Sequence, residues 1–99
     1  MAVKSKTKAE KLHMSKVAEL GCIACRKLGY LDTPAELHHI RDSVGLGQRS
    51  SHLEVIPLCP NHHRLMPDAI HQSKINFISR FGSERELLEE VLDEINYRY

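Results

Sequence analysis

Two short ligand pairs constrain this chain more than any other feature. They are Cys22-Ile23-Ala24-Cys25 and Cys59-Pro60-Asn61-His62, separated by 33 residues. Each x-x spacing lets one tight turn aim two side chains at a single ion, and three thiolates with one imidazole fill the closed tetrahedral site of a structural zinc. The chain needs such a staple. It has 99 residues, no Trp and only 5% aromatics, and a scaffold of this size commonly adds a metal or disulfides to a small apolar core. An odd Cys count and a Lys-rich start with no apolar segment behind it disfavour a disulfide framework and secretion, so a cytoplasmic setting is expected. Buried thiols that never meet a metal are the bland alternative. A redox CxxC would leave the second pair unexplained and lacks its strand–helix context.

Other classes fall away quickly. No apolar run approaches the roughly 18 residues of a membrane span, and no Gly-rich phosphate loop is present. Residues 1–50 carry nine Lys/Arg against five Asp/Glu, and residues 51–99 carry five against eight. A basic front and an acidic tail suit a polyanion-facing surface, although ordinary solvated helix faces explain the same counts. Glu84, Glu86, Glu89, Glu90, Asp93 and Glu94 concentrate the acidity near the C-terminus, on what reads as the exposed half of the last helix.

The chain reads as one domain over 1–99, with 1–6 a frayed basic terminus. Thr7 and Glu10 have capping-box spacing for a helix running to Leu20, with Met14, Val17 and Ala18 on one face and Gly21 as its stop. The first knuckle pair and a basic loop through Arg26 and Lys27 follow. Glu36 to Ile40 predicts a short strand, 41–51 a loop, and Leu53 to Ile56 a second strand ended by Pro57. Pro60 suits the first turn of a short helix carrying Asn61, His62, His63 and Arg64, which Pro67 ends. Ser73 caps a helix with Phe77, Ile78 and Phe81 inside, stopped by Gly82. Ser83 and Glu86 box a last helix whose Leu87, Leu88, Val91, Leu92 and Ile95 form one buried stripe.

Histidines remain in surplus. Beyond His62, the chain holds His13, His38, His39, His52, His63 and His71. Adjacent His38 and His39 on a strand point to opposite faces, so one can bind a metal while the other handles a water. His63 follows a knuckle ligand and must project from a different face of its helix. This pattern suits two nearby metals, one structural and one catalytic. The bland readings are a core–surface pair for His38 and His39, a helix-face His63, a cap or loop His71, a structural His52, and a bystander His13 that at most touches DNA.

The run Cys22-x-x-Cys25, Leu37-His38-His39-Ile40 and His52-Leu53-x-x-Ile56-Pro57-Leu58-Cys59-Pro60-Asn61-His62-His63-Arg64 resembles the HNH (ββα-metal) endonucleases with a built-in zinc knuckle. It is most similar to the phage recombination-enhancement (Ref) nucleases, whose pattern includes Gly45-Leu46-Gly47-Gln48-Arg49 and a later Ile70-His71. The likeness spans roughly residues 12–92.

The resemblance implies an α+β fold, with a ββα-metal (HNH, or His-Me finger) core, a zinc knuckle of Cys22, Cys25, Cys59 and His62, and flanking helices. It implies that His38 and His63 ligate a catalytic divalent metal, with His71 a candidate third ligand, and that His39 is the general base. His52 stands where many HNH proteins carry an Asn that braces the base, so bracing and metal contact are both open. The metal would be Mg²⁺ or Mn²⁺, with Zn²⁺ or Ni²⁺ also suited to imidazole ligands. Arg49 and Arg64 would contact DNA phosphates; the bland alternative for each is a solvated surface position. The implied activity is endonucleolytic hydrolysis of DNA linked to RecA filaments, in a bacterial host carrying a phage or prophage. The rival reading is a non-catalytic zinc module that binds nucleic acid, which would have no need of His38, His39 and His63. Oligomeric state is open.

Overall fold

Each helix starts and stops where its residues satisfy the terminal backbone groups. The computed structural model describes residues 6–40 and 52–99. Residues 1–5 of the expected frayed terminus 1–6, and the loop at 41–51 with Arg49, lie outside them. α1 (Lys8–Glu19) begins with the Thr7–Glu10 capping box and buries Val17. It ends at Gly21, whose φ of 77° lies in the left-handed region. A Cβ there would stand 3.1 Å from the Thr33 carbonyl oxygen, so glycine lets the chain turn tightly into Cys22. α3 (Lys74–Phe81) is capped by the Ser73 hydroxyl. α4 (Glu84–Arg98) opens with the Ser83–Glu86 box and buries Leu87, Leu88, Val91 and Ile95.

The basic loop expected after Cys25 is instead a short helix, α2 (Ile23–Lys27). Its first turn is closed by the Cys22 sulfur, which accepts from the Cys25 amide at 3.4 Å. The knuckle pair is thus its own helix cap. α2 also spends its charge internally: Lys27 pairs with Glu90 at 2.8 Å and Arg26 with Glu94 at 3.6 Å. Two of the basic residues counted toward a polyanion-facing front therefore face the acidic helix.

β1 (Glu36–His39) and β2 (Val55–Leu58) form a two-stranded antiparallel ribbon with His38 opposite Ile56. Pro57 does not end the second strand. It lies inside it, fully buried opposite Leu37. A two-stranded ribbon has an unpaired side on each strand, so a residue without an N–H is tolerated there. The expected short helix after Pro60 is a five-residue π turn (Asn61–Leu65), closed by the Met66 amide on the Asn61 carbonyl at 3.0 Å. Pro67 bars its extension.

Val17, Leu20, Ile40, Val55, Ile56, Leu58, Phe77, Leu87, Leu88 and Val91 make one core that also takes in the three cysteines. The architecture is α+β, with helices packed around one ribbon. Among the described residues no helix is long and apolar enough to cross a membrane.

Candidate metal centres

The four knuckle ligands are placed by three separate elements. Cys22 and Cys25 bracket the start of α2, and Cys59 follows β2. All three are buried and unbridged. His62 comes from the π turn, with its ring edge-on to Phe81 of α3 at 5.2 Å. The Cys25 and Cys59 sulfurs are 3.8 Å apart. His62 Nδ1 lies 3.8, 3.5 and 3.2 Å from the sulfurs of Cys22, Cys25 and Cys59. A tetrahedron with Zn–S bonds of ~2.3 Å and a Zn–N bond of ~2.0 Å has S···S edges of about 3.8 Å and S···N edges of about 3.5 Å. The four ligand atoms therefore form a group that can hold an ion such as zinc. Burial pushes the Cys22 thiol up to about 12, with the neighbouring Cys59 and Cys25 adding to the rise against backbone contacts that lower it. Without a cation this thiol keeps its proton. Burial, and then Arg80, push His62 toward its neutral form, the form that ligates.

The residue after His62 serves a second cluster. His63 Nε2 lies 3.3 Å from His38 Nδ1 and 3.0 Å from His71 Nε2. The backbone fixes this meeting, because the amides of Ile70 and His71 bond the carbonyls of His62 and His63 at 2.9 and 3.1 Å. The segment after Pro67 thus runs beside the π turn and delivers His71 to it. The resulting group grades from buried His38 through half-buried His63 to exposed His71.

Two carboxylates set the proton positions in this triad. Glu36 accepts from Arg64 through both oxygens, at 2.9 to 3.3 Å, and from His63 Nδ1 at 2.8 Å. Arg64, then His63, hold its carboxyl down at about 2. Glu84 is 1% exposed. It accepts from Lys74 at 2.9 Å and from His38 Nε2 at 2.5 Å. An ionised carboxylate only accepts, so His63 carries a proton on Nδ1 and His38 one on Nε2. The opposite nitrogens, His38 Nδ1 and His63 Nε2, then face each other as lone pairs unless a cation lies between them. Neutral imidazoles oriented by carboxylates are the usual arrangement of histidine metal ligands.

His39 leaves the other face of β1 and meets a different partner, His52. Its Nε2 lies 3.0 Å from His52 Nδ1. Arg64 is half exposed, with its guanidinium on Glu36. His13 Nε2 is buried and without a hydrogen-bond partner, which disfavours the idea that this ring touches DNA.

Residues 6–96 match the family described as recombination enhancement, RecA-dependent nuclease. The chain belongs to this family. The match takes in both strands of the ribbon, the π turn, α3 and all but the last two residues of α4. No curated protein is similar enough to add a relative.

In this member of the RecA-dependent nuclease family, sequence reading missed Glu36 and Glu84. Glu36 precedes the His pair by two residues, so strand alternation puts it on the same face as His38, and that signal was available. Glu84 was counted among the exposed acids of the last helix. The structure corrects this: it is the first residue of α4, buried, and joined to a histidine 46 positions away.

Proposed function

We propose that this chain is a metal-dependent endonuclease of the HNH type that hydrolyses DNA phosphodiester bonds in partnership with RecA filaments. The observation that carries the reading is the convergence of His38 Nδ1, His63 Nε2 and His71 Nε2, the first two on rings whose other nitrogen bonds a carboxylate, beside a second zinc-type cluster. A binding module stapled by zinc has no use for that second group. β1, β2 and the π turn supply the three parts of a ββα-metal core, with the turn in place of the helix.

In this reading Cys22, Cys25, Cys59 and His62 hold a structural zinc. His38, His63 and His71 hold the catalytic ion, which when bound supplies Lewis acidity toward the phosphate and the departing oxygen. An all-imidazole set suits Mn²⁺, Ni²⁺ or Zn²⁺ as well as Mg²⁺. His39 takes the proton of the attacking water, as an imidazole can near neutral pH. His52 braces that ring in the role the resemblance gives to an Asn. Arg64, shared with Glu36, and Arg49 bind backbone phosphates. Such contacts position DNA without reading its sequence, so affinity falls steeply with salt.

The test is cleavage of plasmid DNA, naked or RecA-coated, with Mg²⁺ or Mn²⁺, comparing wild type with His39→Ala. Cleavage by wild type and a large loss in the variant supports the reading. Inactivity of wild type on both substrates with every metal favours the binding module, and full activity of the variant removes His39 as the base.

A further inference from the structure

We propose that Glu84 is a positioning residue for the triad: it fixes the tautomer and orientation of His38, and so aims the Nδ1 lone pair at the metal position. The inference rests on reading the triad as the catalytic metal site. Its two oxygens are bound differently. Oε1 meets Lys74 Nζ at 2.9 Å and Oε2 meets His38 Nε2 at 2.5 Å. With Lys74 beside it the carboxylate is ionised and can only accept, so the proton of the pair sits on His38 Nε2. A neutral imidazole has one N–H, which leaves Nδ1 bare, and Nδ1 is the atom 3.3 Å from His63 Nε2.

Burial separates Glu84 from its counterpart Glu36. The side chain of Glu84 is 1% exposed and that of His38 4%, so water cannot readily replace the contact. Glu36 is 34% exposed and is shared with Arg64, so water can stand in for it. The consequence reaches beyond one residue. Lys74 lies at the start of α3 and Glu84 at the start of α4, and the corner between these helices is therefore part of the frame of the site, not merely core.

The first measurement uses wild-type protein carrying one zinc. Long-range proton–nitrogen NMR of ¹⁵N-histidine-labelled protein, before metal enters the triad, should show His38 protonated on Nε2. The opposite tautomer overturns the proposal. The second is calorimetric titration of the same zinc-loaded protein with Ni²⁺. Glu84→Ala should bind Ni²⁺ about 10- to 100-fold more weakly, while knuckle zinc content and circular dichroism stay unchanged. Glu84→Gln, which keeps an acceptor oxygen, should recover part of the loss. Wild-type affinity in both variants overturns the role of Glu84 alone. A wild-type protein that takes up no Ni²⁺ overturns the metal reading beneath it. If Glu84→Ala fails to fold, the wild-type tautomer and the Gln variant decide the matter.

Discussion

The cysteine knuckle and the histidine triad take adjacent residues of one π turn, yet they differ in donor, burial and hydrogen bonding. The knuckle is thiolate-rich, sits within the apolar core and ties together α2, the end of β2 and the turn. The triad is all imidazole, opens to solvent at His71, and is held from behind by Glu36 and Glu84. The contrast is what the proposed division of labour rests on. Ligands sunk in a core, with four donors closing the ion in, make a staple. In the proposed reading, three imidazoles with an exposed side, two of them oriented by carboxylates, leave room for a substrate. His62 and His63 show how little sequence separates the two: one step along the chain moves a ring from one ligand group to the other.

Breaking the knuckle should have the largest effect. Structural zinc in small domains contributes on the order of 10 kcal/mol of apparent binding free energy, as large as the whole stability of a typical domain. Cys22→Ser should therefore be unfolded by circular dichroism. A folded, zinc-free Cys22→Ser protein would show that the core stands without its staple. Breaking the triad should spare the fold. His63→Ala should shift Tm by only a few degrees and lose nearly all cleavage. A variant as unstable as Cys22→Ser would erase the distinction between the two clusters.

A third change separates metal binding from proton transfer. His39→Ala should keep Ni²⁺ affinity at the triad and lower the cleavage rate by about 10²- to 10⁴-fold, the usual range for a general base. Loss of Ni²⁺ binding would instead make His39 a ligand.

The smallest effect concerns Glu36. Its carboxyl titrates below the ordinary carboxylate value because Arg64 and His63 bind the charged form. A depressed folded value means that the contact stabilises the fold above the ordinary value of 4.5 and that this contribution is lost as pH falls from there through about 2. The net stability involved is small because the pair is partly exposed. Carboxyl NMR should place the wild-type midpoint near 2, and Arg64→Ala should raise it toward the ordinary value. An unmoved midpoint would mean that Arg64 does not hold Glu36.

Much of the frame was legible in the sequence because local chemistry wrote it there. The two capping boxes, the Gly21 and Gly82 stops and the buried stripe of α4 all appear where residue types place them. The x-x spacing of the two pairs named four side chains that do converge. What escaped reading depended on partners far along the chain. Pro57 inside a strand is decided by which side of the ribbon lacks a neighbour, and α2 by a sulfur closing its first turn. Glu84 looked like one more acid on a charged helix. Only the packing of α4 on the ribbon, chiefly on β2, makes it a buried partner of His38, and no periodicity within α4 announces that. His71 was placed beside His63 by the family resemblance alone, because the backbone bonds that bring them together join two irregular segments that local residue types do not announce.

The claim that two adjacent histidines serve two ions is tested most directly by counting metal. After equilibration with zinc and removal of excess, the wild-type protein should retain two equivalents per chain, and His63→Ala should retain one while staying folded. One equivalent in both proteins would contradict the account.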